Sequence, residues 1–269
     1  MNPELIVLTT YGGESPLFLN CANLWHQLVD NLPKSIHFYG ASVSDAVLDN
    51  RLEGSRLVIS QPSIKSDWGS GYSEKRPVWS TDQYANWINR DLSIFSYLLN
   101  KHREPFYLFY HTVTSVVHYP SLSRVVDLVF PDSVYAGVIF NHHNPLVSGD
   151  TVEAISGAGY LISRDYIEVI VERSISVPKN VLNDVWLGLV LRDIPKLNLS
   201  RKDITVNSLF PDIEFFEDVR RQLRVNLING VFHFRINSLP VLTDPSLRAR
   251  YDWEIYKWVF RIVHGELTP

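Results

Sequence analysis

The sequence predicts an α/β protein: one open mixed sheet with helices on both faces, in a single domain. Three observations carry this expectation. Apolar runs of strand length alternate with amphipathic helical stretches through the first half of the chain. The second half keeps both signals but mixes their order. A hydrophobic fraction of 45% and a charged fraction of 20% over 269 residues suffice for a sizeable core and exclude a disordered chain.

Leu5-Ile6-Val7-Leu8 is a continuous apolar run, the pattern of a parallel strand buried on both faces. After Thr9-Thr10-Tyr11-Gly12-Gly13, Ser15 is placed to cap a helix with Pro16 in its first position. Leu17, Cys21, Leu24, Trp25 and Leu28 recur at helical spacing behind it. Ile36–Tyr39 and Arg56–Ser60 read as strands. Residues 61–80 hold Pro62, Trp68, Gly69, Gly71, Tyr72, Pro77 and Trp79 and read as a long loop, either a functional lid or a surface insertion. Thr81 or Asp82 caps a helix to about Lys101, with Tyr84, Trp87, Ile88, Phe95, Leu98 and Leu99 inward. Phe106–Tyr110 is another buried strand and runs into the polar segment 111–115. Further strands are expected at Val134–Phe140, Ala158–Ile162 and Val231–Ile236. Helices are expected from a Ser163 cap to Arg173, over Val185–Leu191 and over Ser246–Val263.

The formal net charge of −4 argues against a nucleic-acid partner, because a duplex binder carries a basic surplus. Arg220, Arg221 and Arg224 fit a solvated helix face better than a binding patch, as do Arg248 and Arg250. The one cysteine, Cys21, lies on the apolar side of a helix and reads as a small buried hydrophobe. No apolar run reaches the length of a membrane span, and the N-terminus resembles neither a leader nor an anchor, so a cytoplasmic location is expected. The triplet Asn198-Leu199-Ser200 carries no meaning in that compartment.

The common catalytic signatures are absent: no phosphate-binding G-x-x-x-x-G-K-[ST], no G-x-G-x-x-G after the first strand, no H-E-x-x-H, no G-x-S-x-G and no C-x-x-C. Two segments remain. The first is Ser156-Gly157-Ala158-Gly159-Tyr160-Leu161-Ile162-Ser163. The second is Leu182-Asn183-Asp184-Val185-Trp186-Leu187-Gly188. Taken singly, each has an ordinary structural reading: a tight turn at the glycines, and a helix cap at Asn183 or Asp184.

Together, in this order, they resemble the β-1,3-glycosyltransferase superfamily, which includes Fringe-type and β-1,3-galactosyl- or N-acetylglucosaminyltransferases. That family carries Ser-Gly-Gly-Gly-Tyr, two hydrophobic residues and Ser, followed by Glu-Asp-Val-x-x-Gly. The resemblance covers residues 105–236 and leans toward short bacterial or viral members without an anchor. It implies a GT-A-like α/β fold. It also implies inverting transfer of a sugar from a nucleotide-sugar donor, UDP-linked by default, to a hydroxyl of a glycan or glycoconjugate. Residues 1–110 would form the nucleotide-binding half and residues 111–269 the acceptor and catalytic half. Asp184 takes the position of the family's general base. Asn183 stands where the family has an acidic neighbour and is left to orient substrate. Ser156, Gly157, Ala158 and Gly159 would line the sugar and acceptor site. Thr9, Thr10 and Tyr11 would lie near the nucleotide base and ribose.

The departure from the family concerns the metal. GT-A enzymes usually carry Asp-x-Asp after the strand matching Phe106–Tyr110, to hold a divalent ion on the leaving diphosphate. Here the place reads His111-Thr112-Val113-Thr114-Ser115, with no carboxylate. Thr112, Thr114 and Ser115 are expected near the diphosphate. No metal ligand is assigned, and no cofactor is expected beyond the nucleotide sugar. Mn²⁺ or Mg²⁺ is disfavoured, with His111 leaving the matter open. Arg235, with His233 on the same side of its strand, is the candidate for neutralising the diphosphate. His142-His143 reads as loop surface rather than a ligand pair. Two other readings stay open: a glycosyltransferase-like module that only binds carbohydrate or a partner, and a different α/β transferase, such as a methyltransferase, with an accidental match.

Overall fold

The structure is a computed structural model; it describes residues 4–10, 16–29, 36–44, 51–53, 56–60, 81–129, 133–144, 149–206, 213–238 and 245–265. In chain order the elements are β1 (Glu4–Thr10), α1 (Pro16–Val29), β2 (Ile36–Ser44), β3 (Arg51–Glu53), β4 (Arg56–Ser60) and α2 (Thr81–Lys101). Then come β5 (Phe106–Thr112), β6 (Ser115–Val117), α3 (Tyr119–Val129), β7 (Tyr135–His143), β8 (Thr151–Ser163), α4 (Arg164–Arg173) and α5 (Asn183–Val190). The last are β9 (Leu197–Asn198), β10 (Lys202–Val206), α6 (Ile213–Ile228), β11 (His233–Ser238) and α7 (Pro245–His264).

The predicted α/β sheet with helices on both faces is present. Eight strands lie in the order β3-β4-β2-β1-β5-β8-β7-β9. The four strands β4, β2, β1 and β5 run parallel, and β8 turns antiparallel between β5 and β7. The apolar run of β1 explains its central place. Ile6 and Leu8 enter one core with Phe95, Leu98, Leu108 and Trp186, under α2, α4 and α5. Leu5 and Val7 enter the opposite core with Trp25, Phe109 and Leu122, under α1 and α3. Strand alternation alone distributes them. On α2, Ile88, Phe95 and Leu98 are buried, while Tyr84, Trp87 and Leu99 are only half-buried. Cys21 is fully buried, and burial raises its thiol pKa far above the ordinary range.

Beside the expected sheet the chain forms a second, three-stranded sheet in the order β10-β11-β6. The chain leaves the main sheet at Val113. After a two-residue turn, β6 pairs antiparallel with β11, and β10 joins β11 in parallel. Val113, Val116, Ile204 and Phe234 pack there against α1, α6 and α7. Strands as short as β6 carry too little periodicity to be read from sequence.

Two expected caps are corrected. Ser163 does precede α4, but its hydroxyl makes no capping bond. It accepts from the Val134 N–H at 3.0 Å, pinning the start of β7 instead. The residue before α5 is Leu182, so Asn183 and Asp184 sit inside the first turn, not at the cap.

Candidate functional site

The site is built around an irregularity in β8. Gly137 of β7 pairs with Tyr160, and Ile139 pairs with Ile155, so two steps along β7 face five along β8. Three extra residues are accommodated within 156–159, a bulge beside the carboxyl ends of the parallel strands, where open α/β sheets bind ligands.

Three elements hold the bulge. The Gly157 N–H donates to Asp184 Oδ2 at 3.4 Å. Ser115 Oγ donates to the Ala158 carbonyl at 3.4 Å. Arg201 Nη1 donates to Ser156 Oγ at 2.9 Å. The two sequence segments of the resemblance are therefore brought into contact. A Cβ on Gly157 would sit 3.5 Å from Asp184 Cβ, an ordinary contact. A Cβ on Gly159 would lie 2.3 Å from His233 Cε1, which no real structure tolerates. The imidazole of His233 occupies the space that the missing Gly159 side chain leaves.

Asp184 lies in the first turn of α5, where the helix dipole favours a carboxylate. Its Oδ1 accepts from the Val185 N–H at 2.9 Å. Burial raises its carboxyl pKa above the ordinary range; the backbone N–H groups of Gly157 and Val185, and the His142 side chain, pull the other way without cancelling it. Asp184 is thus a half-buried carboxyl group held by backbone N–H groups at the edge of the bulge, with its pKa raised by desolvation.

Two guanidinium groups stand across from it. Arg201 forms a bidentate pair with Asp203, at 2.7 and 3.2 Å. Arg235 lies beside Asp203 across the β10–β11 ladder. It is half-buried and, among the described residues, makes no hydrogen bond or ion pair. Burial and Arg201 lower its pKa, and Asp203 and Asp184 oppose them; a guanidinium stays charged nonetheless. His233, on the same side of β11, is 3% exposed and its Nε2 has no partner. Burial holds its pKa well below the ordinary value, so it is neutral.

The segment that replaces Asp-x-Asp is a hydroxyl cluster. Thr112 Oγ1 lies 3.2 Å from Ser115 Oγ and 3.5 Å from Thr114 Oγ1. His111 is buried, its Nδ1 is 3.0 Å from the Thr112 carbonyl oxygen and its Nε2 is 3.5 Å from the Tyr119 hydroxyl. Desolvation lowers its pKa to about 4. These groups are neutral and bonded among themselves, and do not fit a hard cation. Among the described residues, no group of three His, Cys, Asp or Glu side chains is placed to hold a metal ion. His142 and His143 are exposed, and His142 Nδ1 lies 2.7 Å from its neighbour's carbonyl oxygen.

The remaining expected site residues are placed differently. Thr9 and Thr10 end β1 and are 0% and 5% exposed. Thr10 donates its hydroxyl to Tyr110 at 3.0 Å, whereas Thr9 Oγ1 has no partner. Tyr11 lies outside the described residues. Asn183 turns its amide inward, to Asp91 Oδ2 at 3.3 Å. Arg201 and Asp203 belong to the site but are not legible in the sequence. Their segment has no periodicity, and only the second sheet carries it to the bulge. The second basic residue closely preceding Arg235 in space is separated from it by a whole helix in sequence.

No family model matches the chain, and no curated protein matches its sequence. Among solved structures, the chain is similar to one described as the crystal structure of a glycosyltransferase involved in the glycosylation of the major capsid of PBCV-1. The two are 10% identical, with a TM-score of 0.47, over 93% of this chain and 98% of that chain. No described helix is long and apolar enough to cross a membrane.

Proposed function

We propose that the chain is an inverting glycosyltransferase of the GT-A type that moves a sugar from a nucleotide-sugar donor to an acceptor hydroxyl. The observation that carries this reading is the convergence on the β8 bulge of Asp184 and Arg235, the latter unpartnered among the described residues. The acceptor oxygen attacks the anomeric carbon as its proton passes to the Asp184 carboxylate. The new C–O bond forms while the bond to the phosphate oxygen breaks, and the electron pair leaves with the diphosphate. Arg235 faces that developing charge, supported by the hydroxyls of Thr112, Thr114 and Ser115. UDP is the donor nucleotide of choice because the resembled family mostly uses it.

The test is UDP release from UDP-glucose and UDP-galactose, with and without EDTA, by wild type and Asp184→Asn. The expected result is turnover that survives EDTA and falls at least roughly a hundredfold in the folded variant, as for loss of a general base. Near-normal turnover by Asp184→Asn removes Asp184 from the reaction. An obligatory Mn²⁺ requirement overturns the metal-independent form of the reading.

A further inference from the structure

Directly behind Asp184, on the core side of α5, lies a charged cluster that the reaction above does not use. Arg90 and Asp91, consecutive on α2, pair through Nη2 and Oδ1 at 2.8 Å with side chains only 10% and 5% exposed. The Tyr110 hydroxyl accepts from Arg90 Nη2 at 3.0 Å and from Thr10 at 3.0 Å, and donates to Asp91 at 3.3 Å. Asp91 Oδ2 accepts from the Asn183 amide at 3.3 Å, and Asn183 Oδ1 accepts from the Asp184 N–H at 3.0 Å. A second clasp joins the same two regions: Lys179 Nζ donates to Asn89 Oδ1 at 2.7 Å.

Burying an ion pair costs several kcal/mol of desolvation per charge, and a well-packed apolar pair often serves stability equally well. Packing alone does not account for a carboxylate here. What the cluster does achieve is geometric. It ties the ends of β1 and β5, through Thr10 and Tyr110, to the first turn of α5. That turn aims the Asp184 side chain.

We propose that Asp91 is a positioning residue: through the Asn183 amide it fixes the first turn of α5 and so aims the Asp184 carboxylate at the β8 bulge. This rests on Asp184 being the base. The groups facing Asp184 are the Gly157 N–H of β8, His142 and Tyr135 of β7, and Arg235 of β11. Those facing Asp91 are Arg90, Tyr110, Tyr160 and Asn183. Asn183 joins the two sets by hydrogen bonds, while Tyr135 and Tyr160 meet edge to face without one.

Asn183→Ala in the full chain tests the link, because it cuts the connection and leaves the Arg90–Asp91 pair intact. The Asp184 carboxyl is titrated by ¹³C NMR in the ligand-free protein, assigned against Asp184→Asn, and UDP release from UDP-glucose is followed across pH. With its turn released, Asp184 gains water, so its titration moves down toward an ordinary carboxylate. The acid limb of kcat moves to lower pH with it. kcat falls about tenfold or more with KM for UDP-glucose unchanged, as misalignment predicts. A merely structural role would lower the melting temperature and move neither titration nor acid limb, and that result overturns the proposal. Wild-type turnover by Asp184→Asn would instead remove the base reading, while the ligand-free titration still decides whether Asn183 governs the carboxylate. Asp91→Asn, where the fold survives the unpaired Arg90, gives the same downward shift.

Discussion

The amino end of the central strands and the β8 bulge at their carboxyl end treat their polar groups differently. At the amino end, Glu4 binds both His37 and His102, and the second contact is 2.7 Å. The other ring nitrogen of His102 meets the Tyr39 hydroxyl at 2.7 Å. Glu4, His37, Tyr39 and His102 are thus joined in one cluster. A neutral His102 that donates to Glu4 and accepts from Tyr39 satisfies all three, in keeping with the burial that lowers its pKa. At the carboxyl end, Arg235 makes no hydrogen bond or ion pair among the described residues. His233 Nε2 and Thr9 Oγ1 have none either, and the hydrogen bonds to the Asp184 carboxylate come from backbone N–H groups. Buried polar groups left without partners cost stability. The amino rim is a closed staple, whereas the carboxyl rim leaves Arg235 and His233 Nε2 without partners among the described residues.

Arg235→Ala acts on the carboxyl rim most directly among binding effects. A charge-assisted contact to phosphate contributes about 1.5–3 kcal/mol, so calorimetry should show UDP weakened by that amount and uridine little changed. Equal losses for both would place Arg235 away from the phosphates.

Gly159→Ala comes next. Its Cβ would meet the His233 ring at 2.3 Å, and overpacking a buried contact costs about 1–3 kcal/mol. For a chain of this size that is a fall of several degrees in melting temperature, with activity reduced as His233 is displaced. Gly157→Ala, facing only ordinary contacts, should melt like wild type. Equal melting of the two variants would mean that His233 has room to move.

Glu4→Gln gives the smallest effect and the sharpest contrast. It weakens the staple by about 1 kcal/mol of folding stability, measured by urea unfolding, and leaves turnover unchanged. A loss of turnover without a loss of stability would show that the two rims are coupled.

Much of the main sheet was legible. The apolar run of Leu5–Leu8, the Pro16 helix start and the periodicity of Ile88, Phe95 and Leu98 each correspond to an element where expected. The second sheet was not, because β6 and β10 are short and acquire their partners only through β11. α3 and α6 were also missed as placed elements, one following directly on β6 and the other read only as a basic face. The expectations on Tyr11 and on the loop at 61–80 lie outside the described residues.

Local chemistry alone determined the strand and helix types, the two segments around Gly157 and Asp184, and the absence of carboxylates at 111–115. These depend on residue identity and spacing, which a sequence displays. Tertiary structure alone decided three other things: that Gly159 serves the His233 ring, that Arg201 reaches Ser156, and that Asp91 holds Asn183. Each joins residues from elements far apart in the chain. Such pairings follow from sheet order and a bulged register, and neither is encoded in any local window of residues.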